Sequence, residues 1–212
     1  MSLIASEAEM QKAADYLAAY DKKLAPTIAE VGPCTIRPHH DYYQELVDSI
    51  ISQQLSTHAA TSIENRFRDL FGGHFPAAEE ILATDVETLR GIGFSYAKGR
   101  YVLDLAQHIV DGKLKFDHLD ALSNEEVIKE LTAVKGIGEW TAHMFLMFCM
   151  GRLDILPVGD LGIRNGIRQL YGFKDAPTPA QIQEVAHQNH WHPYESVASW
   201  YIWRSLNNTP AL

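Results

Sequence analysis

The residues best suited to chemistry lie between Leu131 and Arg168, where glycines, a tryptophan and the aspartate Asp160 follow one another. Gly136-Ile137-Gly138 leads into a segment that carries Trp140, and Asp160 lies about 20 residues further on. A glycine turn at a helix start exposes backbone N–H groups that bind phosphate. A fixed carboxylate stabilises developing positive charge. The pattern therefore predicts a protein that holds a nucleic-acid backbone and acts on a group beside it.

Asp160 is the candidate catalytic residue, and its position also suits a structural role. It precedes an amphipathic segment, and Asp is a favoured N-cap, so a capping role alone is the alternative. The two roles are compatible because the partial positive charge of a helix N-terminus favours an ionised carboxylate. Such a carboxylate stabilises a neighbouring positive charge or orients a water molecule for attack. Asp154, six residues earlier, is expected to fix the loop by hydrogen bonds.

Helical spacing of apolar residues dominates the rest of the chain. It runs from Ala59 to Leu70, from Ala97 to Ile109 and from Trp140 to Phe148, and each stretch ends just before a glycine. No alternating strand pattern appears, so the sequence predicts an all-α protein. The expected helix starts are the N-terminal segment, the capping box Ser123 with Glu126, Thr178-Pro179 and His192-Pro193, and residues 34–40 are expected to form an extended connector.

Composition limits the class of protein. The 212 residues are 46% hydrophobic, which indicates a folded chain with a real core. No run of 18 apolar residues and no N-terminal signal are present, so we expect no membrane association and a cytoplasmic protein, nucleoid-associated in a bacterium or nuclear in a eukaryote. The two cysteines are too few for a four-iron cluster. Cys149 lies in an apolar run and is expected to be buried.

The net charge of −9 argues at first against DNA binding, because most duplex binders present a basic face. Net charge is a sum and not a surface, so a local cluster can suffice. Four basic residues fall in the glycine and aspartate region, and backbone N–H groups bind phosphate without formal charge. We therefore expect binding with a modest dependence on salt. The four residues are Lys135, Arg152, Arg164 and Arg168.

These motifs resemble the helix-hairpin-helix DNA glycosylases, and among them the DNA-3-methyladenine glycosylase II group. The resemblance covers roughly residues 40 to 206, and the hairpin together with the aspartate is its specific part. Four segments carry it: VKGIGEWTA at 134–142, DILPVGD at 154–160 with Ile163-Arg164, IISQQLS at 50–56 with Ala59-Ala60, and WHPY at 191–194 with Ile202-Trp203.

The resemblance implies a two-lobed helical fold with the active site between the lobes. We expect a single compact glycosylase unit over residues 1–212. One lobe would span about 40–150 and include the hairpin at 132–140. The second lobe would join the N-terminal helix to residues 152–212. A second glycine turn, Gly91-Ile92-Gly93, raises the alternative of two similar hairpins, but only the turn at 136–138 is followed by a Trp and an Asp.

The implied activity is hydrolysis of the N-glycosidic bond of alkylated purines, such as 3-methyladenine and 7-methylguanine, in duplex DNA. This excision would initiate base excision repair. Family members that also cut the strand carry a Lys where this chain has Trp140, and its amine forms a Schiff base with the sugar. An indole cannot do so. The resemblance therefore implies an enzyme without lyase activity, and a non-catalytic helix-hairpin-helix DNA-binding protein is the alternative.

Trp140 and Trp203 fall at positions that the resemblance assigns to the base pocket, and Met144 lies one helical turn after Trp140. Tyr194 and Tyr201 are further candidates for this pocket. Nucleosides of 3-methyladenine and 7-methylguanine carry a positive charge on the base, and aromatic faces attract cations. Met144 stands where the family commonly has another aromatic residue, which implies a softer or more open pocket. Core packing is the alternative role for the two tryptophans.

The remaining candidate residues would contact DNA. The target base must leave the stack, and an apolar wedge commonly fills the gap. Leu55 matches the family's wedge, beside Gln53, Gln54 and Ser56; an ordinary polar helix junction is the alternative. Lys135, Gly136, Ile137, Gly138 and Arg164 complete the predicted interface.

The expected partner is duplex DNA with damaged bases, bound by a monomer that requires no cofactor. The resemblance implies at most a structural Na⁺ or K⁺ at the hairpin, held by the carbonyls of Thr132, Val134 and Ile137. A helical metal protein is a third alternative, based on His39-His40 and on His187, His190 and His192, but no acidic or cysteine partner completes a zinc set at the usual spacing.

Overall fold

The computed structural model describes residues 4–206. This part of the chain contains twelve α-helices and no extended strand, which confirms the all-α prediction; its one β-bridge joins Ile4 to Arg152. The α-helices are α1 (Glu7–Tyr20), α2 (Ala25–Val31), α3 (Tyr42–Ser52), α4 (Thr57–Leu70), α5 (Ala78–Leu82), α6 (Val86–Gly91), α7 (Tyr96–Val110), α8 (Asn124–Thr132), α9 (Glu139–Met144), α10 (Leu161–Tyr171), α11 (Pro179–Gln188) and α12 (Glu195–Ser205).

Local signals place most of these helices. Ser123 and Glu126 form the predicted capping box at the start of α8, and Thr178 forms another with Gln181 at the start of α11. The extended connector at 34–40 and the burial of Cys149 are also confirmed. No helix among the described residues is both long and apolar enough to cross a membrane.

Two helix boundaries differ from the prediction. The helix that begins at Glu139 is α-helical only to Met144 and continues as a π-helical turn, Phe145–Cys149. The last helix begins at Glu195 and not at Pro193. In both places the apolar spacing is helical. Spacing alone neither distinguishes a π-helical turn from an α-helical one nor identifies the first residue of a helix.

The described residues divide into two compact units. One unit consists of residues 4–40 and 146–206, and the other of residues 41–145. In the first unit α12 packs against α1, α2 and α10, around fully buried side chains such as Trp191 and Tyr201. In the second unit α7 packs against α3, α5 and α6, around Phe67 and Leu105, and α8 packs against α9.

Candidate active site

Asp160 is held at the N-terminus of α10 by two hydrogen bonds to the same oxygen. Its Oδ1 accepts from the Ile163 backbone N–H at 2.8 Å, which is the N-cap bond expected from the sequence. The same oxygen accepts from Nε1 of Trp203 at 2.7 Å. The residue is only 8% exposed. A carboxylate fixed in this way is both a cap and a charge with a defined position.

Trp203 therefore has a role that the sequence did not indicate. It was predicted to line the base pocket, and the structure shows its indole N–H on Asp160 and its ring stacked on Phe148, with ring centroids 5.9 Å apart. Gly162 allows this approach, because a Cβ at Gly162 would lie 2.7 Å from Cδ1 of Trp203. Trp203 thus restrains the position of the Asp160 carboxylate.

Ser196 fixes the segment that leads to Asp160. This fully buried residue donates from Oγ to the Arg152 carbonyl at 2.7 Å and accepts from the Ile155 N–H at 3.1 Å. Its own N–H donates to the Leu153 carbonyl at 2.9 Å. Helix α12 thus holds the loop before α10 at Ser196 and holds Asp160 at Trp203. A serine in a helical apolar segment gave no sequence signal for this role.

The two glycines of the hairpin differ in their surroundings. Gly136 has φ +88°, and a Cβ there would collide with the ring of Tyr101, so this position requires glycine for the fold. Gly138 is the extended N-cap residue of α9, and a Cβ there would meet nothing within 4 Å. Only Gly138 therefore leaves open space beside the backbone, which the predicted phosphate contact needs.

Lys135 is anchored by Asp104 of α7. Its backbone N–H donates to Oδ2 of Asp104 at 2.9 Å, and its Nζ lies 3.0 Å from Oδ1. Burial raises the pKa of Asp104, but the hydrogen bonds and the charge of Lys135 outweigh it, so the pKa of Asp104 lies below its ordinary value. The lysine predicted to face phosphate thus also fastens the hairpin to α7, a pairing that sequence reasoning missed.

The loop between α3 and α4 connects to the same hairpin. Nε2 of Gln53 donates to the Gly136 carbonyl at 2.8 Å, so this glutamine, predicted to face DNA, holds the two segments together. Gln54 is exposed with φ +58°, and Leu55 is 38% exposed. Ser56 caps α4 by accepting from the Ala59 N–H. The loop therefore presents Gln54 and Leu55 to solvent.

The other predicted pocket residues have different surroundings. Trp140 is 45% exposed on α9, whereas Met144 is buried one turn later. Tyr194 is buried, its hydroxyl donates to Glu9 at 2.7 Å, and its ring lies edge-on to Tyr16 of α1. Tyr194 thus helps to pack α1 in its unit, and its place in a base pocket stays a prediction.

Residues 47–190 match the HhH-GPD superfamily of base excision DNA repair proteins. The chain belongs to this family. It is 31% identical over 206 residues to the alkylbase DNA glycosidase-like protein mag2 of Schizosaccharomyces pombe, covering 95% of this chain and 96% of that protein. It is 36% identical over 186 residues to DNA-3-methyladenine glycosylase 1 of the same yeast, covering 87% and 81%.

A solved structure shows the same similarity in three dimensions. The S. pombe 3-methyladenine DNA glycosylase Mag1, in complex with abasic DNA, superposes on the chain with a TM-score of 0.79 at 34% identity. The superposition covers 95% of this chain and 99% of that one. The family resemblance expected from the hairpin and the PVGD loop is therefore confirmed.

The four basic residues near the motifs of this HhH-GPD protein are not equivalent. Arg152 is only 4% exposed, so the prediction that it belongs to a basic surface cluster is wrong. Lys135 pairs with Asp104, and Nε of Arg164 donates to the Pro177 carbonyl at 3.2 Å. Arg168 is exposed near the end of α10. The local basic surface in this region is therefore smaller than the sequence indicates.

The histidines of this HhH-GPD protein do not form a metal cluster in residues 4–206, where no group of three or more His, Cys, Asp or Glu side chains is arranged to hold an ion. Nδ1 of His192 instead lies 3.0 Å from Oε1 of Glu195.

The backbone carbonyls expected to hold a monovalent cation are chemically suitable, because Thr132 and Val134 lie at the C-terminal end of α8, where carbonyls carry partial negative charge. The Val134 carbonyl already accepts from the Ile137 N–H at 3.2 Å.

Proposed function

We propose that this chain is a monofunctional DNA glycosylase. It removes alkylated purines, such as 3-methyladenine and 7-methylguanine, from duplex DNA by hydrolysing the N-glycosidic bond, and thereby initiates base excision repair. The observation that carries the proposal is Asp160, nearly buried and fixed through Oδ1 by Ile163 and Trp203 in a chain of the HhH-GPD family. Both S. pombe relatives are named for glycosylase chemistry on DNA.

The chemistry follows from the charge and position of Asp160. As the bond between C1′ and the base nitrogen breaks, its electron pair leaves with the base and positive charge develops on the sugar. A nearby carboxylate stabilises that charge, and water then adds to C1′ and loses a proton. Methylation already gives the base a positive charge, so it leaves as a neutral molecule and needs no strong general acid. No cofactor is required for these steps.

The presence of Trp140 in the hairpin supports the proposal that the enzyme has no lyase activity. Trp140 occupies the place in the hairpin where strand-cutting relatives carry a Lys, and an indole cannot form a Schiff base. The nearby Lys135 is held by Asp104 through both its backbone and its ammonium group. We therefore propose that the product is an intact strand with an abasic site. Incubation with substrate and borohydride would trap a covalent protein–DNA adduct if an amine did the chemistry.

Duplex DNA is the proposed partner, bound by a monomer through the hairpin and the loop that carries Leu55. Its place of action is then the nucleoid of a bacterium or the nucleus of a eukaryote. The solved S. pombe relative is in complex with abasic DNA.

The proposed contacts to the extruded base are Trp140, Trp203 and Met144, and the aromatic faces would attract the positive charge of the base. A Na⁺ or K⁺ at the carbonyls of Thr132, Val134 and Ile137 would stabilise the hairpin.

The competing proposal is a DNA-binding protein without catalysis, which would use the same hairpin. A binder has no need of a nearly buried carboxylate fixed by a tryptophan. The deciding experiment is base release from methylated duplex DNA, with the released bases separated by chromatography. We expect free 3-methyladenine and 7-methylguanine above the spontaneous rate. Tight binding to the duplex with no base release would support the non-catalytic alternative.

A further inference from the structure

The outer side of α10 presents an unusual combination of side chains directly after Asp160. Leu161 is 67% exposed, although it is large and apolar. Asn165 is half-buried and Arg168 is exposed. The three residues are spaced i, i+4 and i+7 and so lie on one face of the helix. We call this face, defined by Leu161, Asn165 and Arg168, the α10 face.

The charge of α10 sets it apart from the rest of the chain. The helix contains two arginines and no acidic residue, in a protein with a net charge of −9. Among residues 4–206, no carboxylate forms an ion pair with Arg168, whereas Lys135 is paired with Asp104. An exposed guanidinium on a helix without acidic residues is suited to a phosphate, which it binds through two parallel hydrogen bonds.

We propose that the α10 face binds the DNA strand that carries the damaged nucleotide, with Leu161 against the sugar of that nucleotide and Arg168 on a phosphate further along the strand. The inference rests on the glycosylase function and extends it. Side chains at a helix start lean towards the N-terminus, so Leu161 covers the surface beside Asp160. A sugar that reaches the carboxylate meets this leucine.

The apolar contact has a chemical consequence. Leu161 excludes water from one side of the sugar, and a carboxylate stabilises a cation more strongly where the local dielectric constant is low. Arg168 lies seven residues beyond Leu161, which corresponds to about 10.5 Å along the helix. One face thus reaches both the reacting sugar and the backbone.

A helix-stabilising role is the competing explanation for Arg168. The residue lies in the last turn of α10, where a basic side chain interacts favourably with the helix dipole. That role predicts a lower melting temperature on substitution and unchanged affinity for DNA. Leu161 has little such structural role, because most of its side chain is in solvent.

Salt-dependent binding to a duplex with a non-cleavable abasic-site analogue tests the basic part of the α10 face. We expect Arg168→Ala to weaken binding several-fold and to lower the slope of log affinity on log salt by about 1. Asn165→Lys should strengthen binding and Asn165→Glu should weaken it. Arg37→Ala, which removes an exposed charge of the same unit that pairs with Glu7, is the control and should bind as the unmodified protein does.

The apolar part is tested by single-turnover base release with protein in excess. Leu161→Ala should slow release about 10-fold with an unchanged melting temperature, whereas Leu70→Ala, at a leucine of the other unit that is 36% exposed, should not. If Arg168→Ala and Asn165→Glu bind with the original affinity and salt slope, the α10 face does not bind DNA, although the unmodified protein still excises bases. Release by Leu161→Ala at the original rate would remove the proposed sugar contact. An unmodified protein without base release would instead refute the glycosylase function.

Discussion

The indole N–H of Trp203 donates to Oδ1 of Asp160 at 2.7 Å, and the same oxygen caps α10 through Ile163. Two donors on one oxygen fix both the location and the rotation of the carboxylate. Catalysis depends on such orientation, since a displacement of about 1 Å can cost about 100-fold in rate. We therefore propose that Trp203, which the sequence assigned to a base pocket, positions the carboxylate of Asp160 for catalysis.

Trp203→Phe separates these two roles, because phenylalanine retains an aromatic face and loses the N–H donor. We expect the single-turnover rate of base release to fall roughly 10- to 100-fold while affinity for abasic-analogue DNA changes little. Trp200→Phe, at another buried tryptophan of α12, is the control for lost volume. A rate like that of the unmodified protein would show that the hydrogen bond does not matter for catalysis.

Gly138→Val should weaken DNA binding about 10-fold or more without loss of fold, because the side chain would enter open space beside the backbone that phosphate must approach. Gly136→Val should instead destabilise the protein, because a Cβ there collides with Tyr101. Gly91→Val, at the last residue of α6 and the first glycine of the related turn, is the control for binding. Melting curves and salt titrations separate the outcomes, and full affinity in a folded Gly138→Val would exclude a phosphate at this turn.

The pair of Asp104 and Lys135 should make the stability of the hairpin depend on pH. The pKa of Asp104 is lowered in the folded protein, so its stabilisation is complete above the ordinary value of 3.8 and is lost as the pH falls through the lower folded value. Asp104→Asn should cost about 1.5–3 kcal/mol at neutral pH, measured by urea unfolding.

This difference between Asp104→Asn and the unmodified protein should shrink as the pH falls below 3.8. Asp111→Asn, at an exposed carboxylate after α7, should show a much smaller cost at neutral pH. Equal costs at neutral and acid pH would mean that the charge of Asp104 does not hold Lys135.

Leu55→Ala should slow excision of stably paired lesions more than excision of mismatched ones. A wedge offsets the cost of unpairing and unstacking, which is a few kcal/mol and is least where the pair is already disrupted. Leu55 is 38% exposed, so the variant should keep its melting temperature, as should the control Leu70→Ala at 36% exposure. Equal rate losses on both substrates together with a large fall in melting temperature would identify Leu55 as a packing residue.

Sequence reasoning predicted what local spacing determines. The capping box of Ser123 and Glu126 and the cap at Asp160 are formed by residues three apart, so the pattern alone reveals them. The contacts it missed join distant segments, such as Gln53 with Gly136 and Trp203 with Asp160. No periodicity encodes these pairs, because they arise only when helices pack.

The sequence also did not predict which charged residues are buried. Arginine is a residue type that is usually exposed, and Arg152 shares its sequence region with three other basic residues. Arg152 is nevertheless almost inaccessible to solvent. Arg168 has the same residue type and is exposed. Charge type predicts average exposure, whereas the exposure of one arginine depends on the packing of the loop that carries it.

The most direct test of the whole account is the single-turnover rate of base release by Asp160→Asn on methylated duplex DNA. Asparagine still caps α10, so stability should change by at most about 1 kcal/mol. Asp175→Asn, at an exposed carboxylate after α10, is the control and should release bases at close to the original rate. We expect Asp160→Asn to bind DNA as before and to lose about 100-fold or more in rate, because no negative charge remains to stabilise the developing sugar cation. A rate close to that of the unmodified protein would contradict the assignment of Asp160 as the catalytic residue.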